Sequence, residues 1–146
     1  MTIGEISEKT GLPESTLRYY EKKGLLRVAR DGGGRRDYGE GDIAWIQFLR
    51  RLKETGMPLK EIRAFMELSR QGDATIDRRL GLIEKQRRSV LDQMEQLEDT
   101  LLMLDYKQWY YQTAQKAGTC AVHDAMPLEE VPERFRPLKE EWATEK

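Results

Sequence analysis

From Leu80 onward, Leu80, Ile83, Arg87, Val90, Met94, Leu97, Leu101, Leu104, Gln108 and Tyr111 follow one another at alternating steps of three and four residues. That spacing is a heptad seam, the pattern of a helix packed lengthwise against another helix, here with polar interruptions at Arg87 and Gln108. No proline or glycine occurs in 82–117, which predicts a single helix of about 35 residues, near 50 Å long at roughly 1.5 Å per residue. Such a stripe cannot be covered by a small head. The segment after Gly118 is broken by Pro127, Pro132 and Pro137 and offers no helix of matching length. A second copy of the chain is the simplest partner, so Leu80, Ile83, Val90, Met94, Leu97, Leu101 and Leu104 are expected to form a homodimer contact. An intramolecular hairpin is the alternative.

At 146 residues with 35% charged side chains, the chain has room for one domain plus an appendage. The charged fraction exceeds the roughly 25% of an average globular protein, as expected where helices stand in solvent. It contains no apolar run of about 18 residues, and Glu5 and Glu8 fall where a signal peptide would be apolar. A soluble, cytoplasmic protein without membrane association is therefore expected. The single cysteine, Cys120, cannot form an internal disulfide, and the single histidine, His123, leaves little material for a zinc site. No cofactor and no metal are expected.

The net charge of −1 conceals a division: residues 1–70 carry 14 Lys+Arg against 11 Asp+Glu, and residues 71–146 carry 11 against 15. In the front half, Thr2 and Glu5 form a capping-box pair that opens a first helix ending at Thr10-Gly11. Leu12-Pro13 restarts the chain, and Glu14 to Lys23 reads as a second helix with Leu17 and one tyrosine inward, stopped by Gly24. Two short helices joined through a glycine turn make a helix-turn-helix. Leu26-Arg27-Val28 and Arg35 to Tyr38 flank Gly32-Gly33-Gly34 and predict a small hairpin. A third helix through Ile43, Ile46, Leu49 and Leu52 stops at Gly56-Met57-Pro58, and a fourth through Leu59, Ile62, Phe65 and Met66 stops near Gly72.

Ser15, Arg18, Tyr19 and Lys22 share one face of the second helix at i, i+3, i+4 and i+7. Such a face suits a recognition helix: Arg18 can donate two hydrogen bonds to guanine or phosphate, Tyr19 can donate to phosphate, and Ser15 or Thr16 can meet the backbone. Arg30, Arg35 and Arg36 crowd around the glycine triplet, as in a wing that straddles a phosphate backbone.

The runs IGEISEKTGLPESTLRYYEKKGLL and GGGRRDYGEGDIAWIQFLRRLKETGMPLKEI resemble the DNA-binding half of the MerR family of bacterial transcriptional regulators, over about residues 2 to 72. The resemblance implies a mainly α fold in three parts: a winged helix-turn-helix head with a β-hairpin wing over 1–72, a long dimerisation helix forming an antiparallel coiled coil over 73–117, and a short tail with a possible effector role over 118–146. It implies a homodimer on a near-palindromic site in double-stranded promoter DNA, which bends and untwists the duplex in response to an effector so that RNA polymerase can initiate. By motif position it implies DNA contacts from Thr16, Arg18, Tyr19 and Tyr20 in the recognition helix and from Arg36 and Tyr38 in the wing.

RDY in the wing and QGDATIDRR before the long helix are similar to the branch of the family that answers aldehyde and thiol stress. Regulators of that branch carry a cysteine in the third helix; in FLRRLKETGM Arg51 stands at that place. Three effector sites are open on the sequence: Cys120 as a reactive thiol, a metal at Cys120, His123 and Asp124, and an aromatic pocket at Tyr106, Trp109, Tyr110 and Tyr111. An enzyme is not expected, because the chain lacks a G-x-S-x-G elbow, a P-loop lysine after its glycines and a second histidine. The rival from another class is a coiled-coil scaffold without sequence-specific DNA binding, which leaves the cationic face and arginine wing unexplained.

Overall fold

A computed structural model describes residues 1–141; Trp142 and the rest of the acidic tail's end lie outside the described residues. Among the described residues the fold is mainly α with one two-stranded antiparallel hairpin, and its contacts divide it into two units, Met1–Val90 and Leu91 onward.

The first unit opens with α1 (Ile3–Thr10). Its first turn is closed reciprocally: the Glu5 N–H donates to Thr2 Oγ1 (3.2 Å) and the Thr2 N–H donates to Glu5 Oε2 (2.7 Å). Those bonds hold the Glu5 carboxyl below its ordinary pKa. Gly11, at φ 72°, ends the helix, and α2 (Glu14–Lys22) begins directly after Pro13. Gly24 adopts φ 74° and lets the Leu25 N–H turn back to the Tyr20 carbonyl (2.9 Å), a left-handed stop that a β-carbon would strain. Next come β1 (Ala29–Arg30) and β2 (Arg36–Asp37), then α3 (Glu40–Glu54) and α4 (Leu59–Arg70). Ile6, Leu17, Leu25, Ile46, Leu49, Ile62 and Met66 are fully buried between these helices.

Side-chain bonds to backbone carbonyls tie the turns to this core. Trp45 Nε1 and Arg70 Nη2 both donate to the Leu25 carbonyl (3.0 and 3.2 Å), while the Arg70 guanidinium lies 4.8 Å from the centre of the Trp45 ring. Arg50 Nη1 donates to the Thr10 carbonyl (3.2 Å), holding the α1–α2 turn against α3. The buried Gln86 donates to the Thr55 carbonyl (2.9 Å), and Lys85 pairs with Glu61, so the start of the long helix belongs to the head.

Two expectations need correction. The hairpin strands begin later than Leu26-Arg27-Val28: Leu26 is buried and Val28 packs on the core, so only Ala29 and Arg30 are free to pair, with Asp37 and Arg36. The long helix, α5, spans Ile76–Ala117, 42 residues, longer than the roughly 35 expected from the uninterrupted stretch 82–117. It runs through Gly81, where an added β-carbon would meet nothing within 4 Å; one exposed helical glycine costs only about 1 kcal/mol.

In the second unit, residues 91–101 of α5 are exposed throughout. Beyond them the tail folds onto the helix as 3₁₀ turns at Cys120–His123, Leu128–Glu130 and Glu133–Phe135, followed by α6 (Arg136–Glu141). Phe135, 2% exposed, meets Tyr106 edge-on (5.6 Å) and Trp109 at 5.9 Å. His123 stacks on Tyr110 at 3.8 Å with Nε2 2.9 Å from the Tyr110 carbonyl. Phe135→Ala removes the central ring of this cluster, a truncation worth about 3–5 kcal/mol where it is fully buried. Amide exchange across 119–135 should accelerate at least tenfold while exchange in α1–α4 stays unchanged; equal protection in the variant would show that other contacts hold the tail.

Candidate nucleic-acid interface

The polarity of α2 follows from two inward residues. Leu17 and Tyr20, 0% and 2% exposed, sit three apart and seat the helix on the core. Ser15, Arg18, Tyr19 and Lys22 consequently point outward and are exposed, with Thr16 half-buried beside them. Arg18 Nη2 pairs with Glu14 Oε2 one turn earlier (3.1 Å), an exposed contact that leaves the rest of its guanidinium available. Lys53, from α3, lies over the Tyr19 and Tyr20 rings (5.7 and 5.5 Å), and Lys23 lies over Tyr19 (5.8 Å), adding cations to the same surface.

The wing is set by its turn. The Asp31 carboxylate accepts from the Gly33 and Arg35 N–H groups (both 2.9 Å), and Gly34, at φ 78°, donates its N–H to the Asp31 carbonyl (3.0 Å). Arg30 and Arg36 face each other across the ladder, and both reach Glu21 of α2. The hydrogen bond from Arg36 to Glu21 raises the guanidinium pKa further, fixing its charge. Glu21 and Lys53 escaped the sequence reading because their partners lie 9 to 34 residues away, outside any helical or strand period.

Descriptions of known proteins agree with this geometry. The family model "MerR HTH family regulatory protein" matches residues 1–69 and "MerR, DNA binding" matches residues 43–106. An uncharacterized HTH-type transcriptional regulator of Haemophilus influenzae is 41% identical over 133 residues, spanning 90% of this chain and 96% of that protein. This chain belongs to the MerR family. The solved structure of HiNmlR, a MerR family regulator lacking the sensor domain and bound to promoter DNA, is 40% identical with a TM-score of 0.63 and covers 83% of this chain and 97% of its own. A putative MerR family regulator from Listeria monocytogenes is 32% identical with a TM-score of 0.68, covering 81% and 90%. The protein is thus a transcriptional regulator of a non-enzymatic, DNA-binding family.

Two of the expected DNA contacts lie against the core in the single chain. Tyr20 and Tyr38 are each 2% exposed: one anchors α2, and the other closes the wing onto the core, its N–H donating to the Met1 carbonyl (2.9 Å). Burial raises both phenol pKa values, so the rings stay neutral. The effector candidates also fall differently from an open pocket. Tyr106 is buried, and Trp109 and Tyr110 are half-buried, with Phe135, Val131 and His123 occupying the space against the rings. Tyr111 and Cys120 are exposed. Among the described residues no group of three His, Cys, Asp or Glu side chains is placed to hold a metal.

The Tyr38 hydroxyl is buried without a hydrogen-bond partner among the described residues. Tyr38→Phe should therefore be neutral or stabilising by up to about 1 kcal/mol in chemical unfolding, with DNA affinity unchanged. A loss of DNA affinity at unchanged stability would give the hydroxyl a role on the duplex.

Proposed function

We propose that this regulator binds a palindromic site in promoter DNA as a homodimer and controls transcription by RNA polymerase through distortion of the duplex in response to an effector. The observation that carries the reading is the continuity of the exposed α2 face with the arginine wing. Ser15, Thr16, Arg18, Tyr19 and Lys22 lie on the helix, Arg36 is locked beside it, and HiNmlR, a relative of the same fold, was solved on promoter DNA. Phosphate contacts from the wing would set register, and Arg18 would read a base edge.

The dimer reading rests on the seam. Leu80, Ile83, Met94, Leu97, Leu101 and Leu104 are between 41% and 67% exposed, with Val90 half-buried on the same line. Contiguous apolar stripes of this kind are rare on soluble monomers. Charge favours an antiparallel pair: residues 76–90 carry five Lys+Arg and two Asp+Glu, whereas residues 91–105 carry five Asp+Glu and no Lys or Arg. An antiparallel partner can bring the cationic stretch beside the acidic one, whereas a parallel partner stacks like on like. No helix among the described residues is long and apolar enough to cross a membrane, in keeping with action on cytoplasmic DNA. An aromatic effector at Tyr106, Trp109 and Tyr110 would have to displace Phe135, whereas Cys120 is open to reagents.

The test is a titration against a duplex recovered from a random-sequence pool by the wild-type protein, with a scrambled duplex as control. Arg18→Ala should weaken specific binding at least tenfold, as loss of one two-pronged base contact does, and leave the oligomeric state unchanged by sedimentation. Unaltered affinity for the recovered duplex would remove Arg18 from the interface. Equal, weak binding of both duplexes by wild type would favour the scaffold reading.

A further inference from the structure

Glu21 is an acid on a surface otherwise suited to phosphate, and both of its oxygens are engaged. Arg30 Nη2 donates to Oε1 (2.7 Å) and Arg36 Nε donates to Oε2 (2.5 Å). The carboxylate is the least exposed member of the trio, with its side chain 19% exposed against 46% for Arg30 and 30% for Arg36. Those arginines are direct cross-strand partners in a ladder of two residues per strand. Like charges directly opposite one another destabilise a ladder, and so short a hairpin is marginal without support. The Glu21 carboxylate neutralises the pair and joins the wing to α2 by two charge-assisted hydrogen bonds. Each guanidinium commits one N–H group to Glu21 and retains the others, on side chains still open to solvent.

We propose that Glu21 is a positioning residue for DNA recognition: it clamps the wing to the recognition helix, so that Arg30 and Arg36 present their remaining N–H groups to phosphates in fixed register with Arg18 and Lys22. The inference rests on the DNA-binding reading above and adds to it a negative charge whose presence strengthens binding to a polyanion.

That sign makes the clamp testable. If Glu21 were only a surface acid, removing its charge would tighten binding to any duplex and steepen the dependence on salt. The clamp predicts the opposite for specific DNA. Wild type, Glu21→Gln and Glu21→Ala are titrated against the pool-recovered duplex and a scrambled duplex across a salt series. The variants should bind the recovered duplex about tenfold more weakly, as loss of a charge-assisted contact does, and the scrambled duplex as well as wild type or better. Amide exchange in 29–37 should quicken while α1–α4 exchange and the thermal midpoint hold, because exposed ion pairs add little to global stability.

Variants that bind the recovered duplex as tightly as wild type overturn the clamp. So does a loss on both duplexes that tracks a lowered thermal midpoint, since Glu21 would then serve folding alone. A wild-type protein that recovers no preferred duplex overturns the DNA-binding reading itself, and the clamp with it.

Discussion

Leu17 and Tyr20 enter the core three residues apart, and their burial decides where the rest of α2 points. With those two side chains seated, Ser15, Arg18, Tyr19 and Lys22 have no choice but to face solvent. The end of the helix is secured just as firmly. Gly24 turns the chain, and the Leu25 carbonyl then accepts from Trp45 of α3 and Arg70 of α4, so the path into the wing starts from a fixed point. The wing returns to α2 through Glu21, closing a loop in which recognition helix, core and hairpin hold one another. Recognition of a duplex demands this kind of rigidity, because phosphate contacts set register only when the cations keep their spacing.

The second constraint is unmet within a single chain. The α5 seam leaves large apolar side chains in solvent over several turns, while the buried apolar cluster among the described residues of the second unit gathers at Tyr106, Val131 and Phe135. His123 and Phe135 of the tail pack against Tyr106, Trp109 and Tyr110 of α5 and leave the leucine line bare. A partner that supplies an equivalent leucine line satisfies the seam, and a second copy of the chain carries one by construction. Two heads on one assembly in turn suit a two-fold symmetric site.

Much of this was legible in the sequence because the signals are local. The Thr2–Glu5 capping pair, the Gly24 stop, the Gly56-Met57-Pro58 break and the heptad seam each act within a few residues, and each marks a real boundary or face. The features that local signals leave open depend on distant partners. Tyrosine is amphipathic, so periodicity cannot tell an exposed ring from a core ring; Tyr19 stays out while Tyr20 and Tyr38 go in. Leu26 and Val28 have strand-forming character but are claimed by the core, which shortens the hairpin. The roles of Glu21 and Lys53 exist only after α2, the wing and α3 have met. The aromatic run at the end of α5 reads as a pocket or as packing, and in the single chain Val131 and Phe135 of the tail fill the space against its rings.

The central claim is that an exposed seam pairs two identical heads on one duplex. Native mass spectrometry of the protein with its pool-recovered duplex tests it directly, comparing wild type with Leu97→Glu, which places a charge at the most exposed leucine of the seam, 67% exposed in the single chain. The account predicts two chains per duplex for wild type, an inverted repeat in the recovered sequence, and loss of both dimer and tight complex in the variant. One chain per duplex, with affinity unaffected by Leu97→Glu, would contradict it.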